Sequence, residues 1–360
     1  MNKKITIDYI LILLIYFILM FSMIILFSSS NKDINILKKL IFNIIISNLV
    51  MILISKIDKR KLENYSILIY LISILFLVIV HIYGKNIKGA KRWIKIGYFI
   101  FQPSEFIKIS NNLICSYFIK KFGCPNSNIS LFYYLFILLL PVFFIFIQPD
   151  LGTSIILLIS GLFILFISGI NFEFIKKILL FFTILSILSW KLFMKNYQKN
   201  RIISLFKNID NYSTGYHIMQ SKIAIGSGGF FGKGLFKGTQ NKFKFVPENN
   251  TDFIFSVIGE EFGLLGIMLL ITLYLIIIYR MICISYKTND IFSKILISSF
   301  IFTFFLNIII NISMTIGILP VVGIPLPLIS YGGSSLLSNF IKIGIILSIN
   351  SSIEDFEINF

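Results

Sequence analysis

What constrains this chain most is a succession of apolar blocks, each long enough to cross a bilayer. A helix needs roughly 20 predominantly apolar residues to span the hydrocarbon core. Such blocks fall at 7–27, 36–55, 66–84, 103–121, 130–147, 151–170, 176–193, 254–279, 291–316 and 336–352. Hydrophobic residues make up 57% of the 360, against ~45–50% in a soluble domain. The expected fold is all-α: one polytopic transmembrane bundle of about ten helices over 1–360, with a large extracytoplasmic loop at 194–253 between helices 7 and 8. The first block follows Met1-Asn-Lys-Lys without a small-residue cleavage site, so it reads as a retained helix rather than a removed signal peptide.

The fourth block is the odd one. Glu105, Lys108, Asn111 and Asn112 lie within it, so one face must look at protein or water rather than lipid. Ten spans put both termini on one side. The short loops on that side hold Lys3, Lys4, Lys56, Lys59, Arg60, Lys61, Lys120, Lys121, Lys176, Lys177, Arg280, Lys287 and Lys294. They are the richer in cations, which places both termini in the cytoplasm.

The net charge of +17 has three sources to choose from: an Ile-, Phe-, Asn- and Lys-rich composition of mutational origin, cytoplasmic anchoring, and an anionic ligand. Segment 85–102 bears on the choice. It is short and expected outside, yet carries Lys85, Lys88, Lys91, Arg92 and Lys95. A basic outer surface beside the membrane suits a lipid phosphate. Nothing in the pattern points to nucleic acid.

Cys115, Cys124 and Cys283 form no close motif, so neither a structural disulfide nor a cysteine metal site is expected. His81 and His217 are the only histidines, which removes histidine triads, and no phosphate-binding Walker loop is present.

Several segments hold residue types able to do chemistry. Asp252, in Pro247-Glu-Asn-Asn-Thr-Asp-Phe253, stands where the eighth helix begins. It reads either as a carboxylate favoured by the helix dipole or as a base whose burial tunes it. Glu105 and Lys108 are an i,i+3 pair behind Pro103, an ion pair or part of a polar cavity lining. Lys91 and Arg92 beside Trp93 could hold a phosphate, while Trp93 alone would pass for an interfacial belt residue. Asp150, in Gln148-Pro-Asp-Leu-Gly-Thr153, reads as the N-cap of the sixth helix. Gly317–Ser335, rich in proline and glycine, cannot be a regular helix. At membrane depth such backbone must be buried in protein or line a cavity, so it reads as a re-entrant segment near the site.

Taken in order, these segments resemble the SEDS family, the shape, elongation, division and sporulation proteins. The matching stretches are Gly89–Trp93, Phe101–Phe106, Gln148–Thr153, Tyr197-Gln198 with Arg201, Gly215–Gly229, Gly238–Gln240, Pro247–Phe255, Gly259–Gly263 and Gly317–Ser335. Lys237-Gly-Thr-Gln240 looks most like the elongation branch, RodA; Lys207–Thr214 departs from a stretch that usually contains proline.

The resemblance implies a peptidoglycan glycosyltransferase of the bacterial inner membrane. Its substrate would be lipid II, a disaccharide-peptide on undecaprenyl pyrophosphate, and its partner a class B penicillin-binding protein. It implies Asp252 as the essential carboxylate. It places Lys91, Arg92, Trp93, Glu105 and Lys108 in or near a central cavity, with Arg201, Lys237 and Gln240 as further substrate-binding candidates. No covalent cofactor is expected; a divalent cation, magnesium or manganese, stays open. Within the family the division and sporulation branches stay open, and two other functions suit the same features: a lipid II flippase, and a scaffold that recruits a partner synthase.

Overall fold

The computed structural model describes residues 8–87, 90–96, 99–188, 214–243 and 245–358, with positions 190, 191, 194, 199 and 203. Among them are thirteen helices: α1 (Tyr9–Ser29), α2 (Ile34–Ser55), α3 (Lys59–Asn64), α4 (Ser66–Tyr83), α5 (Pro103–Phe122), α6 (Asn128–Ile147), α7 (Leu151–Ile167), α8 (Phe172–Leu188), α9 (Thr214–Gly228), α10 (Thr239–Lys242), α11 (Ile254–Lys287), α12 (Ile291–Thr315) and α13 (Gly333–Ile358). Seven of these, α1, α2, α4, α6, α11, α12 and α13, are long and apolar enough to cross a membrane. The polar α5 and the shorter α7 and α8 bring the bundle to the expected ten.

Helix starts follow local chemistry. Asp8, Asp33, Asp150 and Asp290 cap α1, α2, α7 and α12 through their side chains, and Ser127 with Ser130 forms a capping box at α6. The spans are apolar all round. On α1, Leu11, Ile15, Ile18 and Leu26 are buried while Leu13, Phe17, Met20 and Ile24 are exposed. A helix greasy on every face suits a chain solvated by lipid.

α5 is the exception because it is central. It packs against α4, α6, α7, α12 and α13. Glu105, Lys108, Asn111 and Asn112 are all buried, so its polar face looks at protein. Helices close up where side chains are small: Gly161 of α7 receives Leu138 of α6, and Gly344 of α13 sits against the Met51 carbonyl of α2.

Three features differ from the sequence reading. Segment 85–101 contains a three-stranded antiparallel sheet: β1 (Lys85–Ile87), β2 (Ala90–Ile96) and β3 (Phe99–Phe101). Lys91 pairs with Asn86 and Ile94 with Phe101. α11 runs to Lys287 rather than 279 and is broken at Gly263, where φ is +62°. Within the expected loop 194–253, the described part is ordered into α9, α10 and the turns between them.

The bundle has two chemically distinct ends. At the end where α1 starts, Arg280 donates to Asp8 at 2.8 Å, Ser348 donates to the Ile57 carbonyl, and Lys120 bridges Glu63 (2.7 Å) and Asp290 (3.0 Å). At the opposite end, where α1 finishes, Ser28 donates to Glu261 and Ser29 to Asn250, each at 2.5 Å.

Candidate active site

Asp252 lies at this second end, in the turn that feeds α11. The cap position belongs to Phe253, which offers no side-chain acceptor to the helix. The Asp252 carboxylate is partly buried, and its Oδ2 looks onto Gly323, where an added Cβ would lie 3.5 Å away. Its backbone is fixed by Asn311 of α12, whose Nδ2 donates to the Asp252 carbonyl at 3.0 Å and to the Ile324 carbonyl at 2.7 Å.

The segment facing Asp252 is the proline- and glycine-rich stretch 317–332, which contains no regular helix. Its carbonyls find side-chain donors instead: Tyr274 reaches Pro327 at 2.6 Å and Ser22 reaches Ile329 at 2.9 Å. Leu326, Leu328 and Ile329 are buried against α1, α11 and α12. Non-helical backbone inside the bundle is thus paired and enclosed by protein, as a re-entrant segment must be. Ser330 donates to the Thr251 carbonyl at 2.6 Å and the Tyr331 amide to the Asn250 carbonyl at 2.9 Å, tying its far limb to the Asp252 turn.

The Gln148–Thr153 break docks on the near limb. Gly152 approaches the Val322 carbonyl and Ile324 so closely that a Cβ would lie 2.8 Å from that carbonyl. The break is held from outside by Arg92 of β2. Its Nε donates to the Gln148 carbonyl at 2.9 Å, a terminal nitrogen donates to the Pro149 carbonyl, and another stands 3.7 Å from Asp150. Lys91, next to it on the strand, is exposed, and Trp93 is partly buried.

Glu105 and Lys108 form the expected pair at 2.8 Å, each at most 3% exposed. The second Glu105 oxygen accepts from Ser338 of α13 at 2.9 Å. One turn further along α13 stands Lys342, 4% exposed and in the electrostatic field of both Glu105 and Lys108. The Gln102 amide donates to Ser334 at 3.0 Å, so α13 joins the start of α5 to the Tyr331 end of the re-entrant segment.

The two glycine-rich motifs form one packing unit. Gly228 and Gly232 lie directly on the backbone of Gly259 and Glu261. The break at Gly263 frees the Glu260 and Glu261 carbonyls, which accept from the Lys233 and Gly234 amides at 3.0 Å each. Buried Glu260 takes Lys233 at 2.7 Å, the Thr239 hydroxyl at 3.1 Å and the Gln240 amide at 3.0 Å. Gln240 therefore belongs to this buried knot through its backbone, while the Lys237 side chain is exposed.

The profile of one protein family, FtsW–RodA–SpoVE, described as cell cycle protein, matches residues 3–354. The chain belongs to this family. Among curated members, "Peptidoglycan glycosyltransferase MrdB" of Escherichia coli strain K12 is 38% identical over 349 residues, covering 97% of this chain and 94% of its own. "Probable peptidoglycan glycosyltransferase FtsW" of Buchnera aphidicola subsp. Schizaphis graminum is 39% identical over 335 residues, covering 89% and 90%. Two solved structures share the fold. One is a chain from work described as "Structural coordination of polymerization and crosslinking by a peptidoglycan synthase complex", with TM-score 0.85, 24% identity, and 96% and 98% coverage. The other is Thermus thermophilus RodA, with TM-score 0.74, 24% identity, and 96% and 97% coverage.

The FtsW–RodA–SpoVE motifs thus converge through Asp252, the re-entrant segment, the 148–152 break and the starts of α5 and α13. Arg201 lies outside the described residues, as do Tyr197 and Gln198. Sequence reasoning missed Asn311, Ser338 and Lys342. A lone lysine inside an apolar block was the available signal for the last of these.

Proposed function

We propose that this multi-pass membrane protein is a peptidoglycan glycosyltransferase that polymerises lipid II into glycan strands during cell elongation, with Asp252 as its general base. What carries the reading is the setting of Asp252: a partly buried carboxylate on a glycine of the re-entrant segment, at the end of the bundle where the motif segments meet. The names and near-full-length identity of the MrdB relatives support the activity and favour elongation.

The chemistry suits a site with one base. An acceptor hydroxyl attacks C1 of the donor sugar, Asp252 takes its proton, and the donor carbon inverts. Glycosidases need a second carboxyl to protonate an alkoxide. A diphosphate leaves without that proton when cations receive its charge. Exposed Lys91 and the Lys108 ammonium are the cations assigned here, with Arg201 and Lys237 as further phosphate contacts. Arg92 positions the 148–150 break, Trp93 follows it on β2 as a substrate contact, and Gln240 keeps the loop knot in place. The polyprenyl tail lies in a groove between helices.

The described residues hold no group of three or more histidine, cysteine or acidic side chains. A magnesium or manganese ion would be carried largely by substrate phosphates, with a single carboxylate, Asp252 or Glu248, to hold it, and would supply further charge neutralisation. The protein would sit in the bacterial inner membrane with both termini in the cytoplasm, beside a class B penicillin-binding protein that crosslinks the new strand.

The test is Asp252→Asn, purified and given lipid II with moenomycin present to silence classical polymerases. The expected variant is folded, retains lipid II binding and makes no glycan on a gel. Polymer from that variant would remove Asp252 as the base. Translocation of lipid II in vesicles without polymer from the native protein would favour a flippase.

A further inference from the structure

Two lysines and one glutamate are buried together where α5 meets α13. Both Glu105 oxygens are already occupied, one by Lys108 and one by Ser338. Lys342 is therefore surplus in the resting pair. Its side chain lines a small cavity of about 20 Å³ shared with Asn339 and otherwise walled by apolar residues such as Ile15, Phe300 and Leu328. The Asn339 Oδ1 has no protein partner. The cavity is large enough for one water between the two.

An unbalanced ammonium inside an apolar bundle is costly, and ionisable groups buried there are functional by default. The geometry offers a use. Should Lys108 turn its ammonium toward a departing diphosphate, Glu105 would be left as an unpaired carboxylate in the interior. That penalty would oppose catalysis at the moment Lys108 is needed. Ser338 holds the second Glu105 oxygen in place, and one helical turn further along α13 the buried Lys342 acts electrostatically on the same carboxylate.

We propose that Lys342 is a positioning residue: it takes over the charge of Glu105 so that Lys108 can be released to the leaving diphosphate. This rests on the glycosyltransferase reading above. It assigns α13 a part in the chemistry although none of its side chains touches the reacting atoms.

The experiment is steady-state polymerisation of lipid II by purified native protein, Lys342→Met, Lys342→Arg, Glu105→Gln and the Lys342→Met/Glu105→Gln double variant, each checked for folding by thermal melting. Lys342→Met is expected to lower kcat about tenfold with KM within about twofold, because the resting Glu105–Lys108 pair survives. Lys342→Arg, which keeps the charge, restores most of the rate. Without the Glu105 charge there is nothing to take over, so Lys342→Met costs little more on the Glu105→Gln background, whereas independent structural effects would add. A native kcat in Lys342→Met, or additive losses in the double variant, overturns the proposal. If Lys342→Met fails to fold, Lys342→Gln, which keeps a polar end for the cavity, is read in its place by the same criteria. A native protein that makes no polymer sinks the glycosyltransferase reading itself.

Discussion

Gly226 and Gly228 are two residues apart in α9 and have opposite surroundings. A Cβ at Gly226 would meet nothing within 4 Å, whereas at Gly228 it would land on the Gly259 carbonyl. The same mutation should therefore act in opposite directions. Gly228→Ala has to push α9 off α11 and is expected to cost about 1–3 kcal/mol. Gly226→Ala relieves a helical glycine and is expected to gain about 0.5–1 kcal/mol. Thermal unfolding of both variants in the same detergent reads the difference. Equal melting points would mean that the glycine-to-glycine contact does not hold the loop on the bundle.

At the scale of the element, α12 reaches the Asp252 turn through the side chain of Asn311. The Asn311 amide joins the Asp252 turn to the re-entrant segment, and no other described side chain donates to both carbonyls. Asn311→Ala leaves two carbonyls without that donor, worth about 1–3 kcal/mol, and frees Asp252 to shift. A displacement of about 1 Å can cost on the order of 100-fold in rate. The expected variant is folded, melts lower, and polymerises lipid II far more slowly; a rate within twofold of native would show that Asp252 is held by other means.

How far such elements can be read from sequence depends on what makes them regular. The spans were legible because lipid demands unbroken apolar helix. α5 was legible as an outlier because Glu105, Lys108, Asn111 and Asn112 have no place in lipid. The sheet at 85–101 was overlooked, although Lys91, Trp93 and Lys95 alternate with Arg92, Ile94 and Ile96. Its strands are three to seven residues long, and the basic charge drew the reading toward a ligand. The break at Gly263 was hidden because its immediate neighbours, Phe262 and Leu264, are apolar and continue the span. Asn311 and Lys342 sit within apolar blocks, and only the packing of α12 and α13 reveals what they face.

At the scale of the whole molecule, the two ends of the bundle divide the labour. One end gathers the ion pairs Asp8–Arg280, Lys120–Glu63 and Lys120–Asp290, together with the basic α3. The other gathers Asp252, the glycine knot, Arg92 with its break, and the entrance of α5. Lysine and arginine bias over short loops sets membrane orientation, and the topology proposed above puts the first end in the cytoplasm. A lipid-linked sugar destined for the wall must then be polymerised at the second end. Orientation is therefore a premise of the proposed chemistry, and it can be tested without any substrate. Single cysteines placed at Phe231, which is 77% exposed in the glycine-rich loop, and at exposed Lys61 in α3 report on the two ends once Cys115, Cys124 and Cys283 are replaced. With a membrane-impermeant maleimide and intact spheroplasts, Phe231→Cys should be labelled and Lys61→Cys should react only after permeabilisation. The reverse pattern would put Asp252 on the side of the membrane where no wall is built, and the polymerase reading would fail whatever the geometry around that carboxylate.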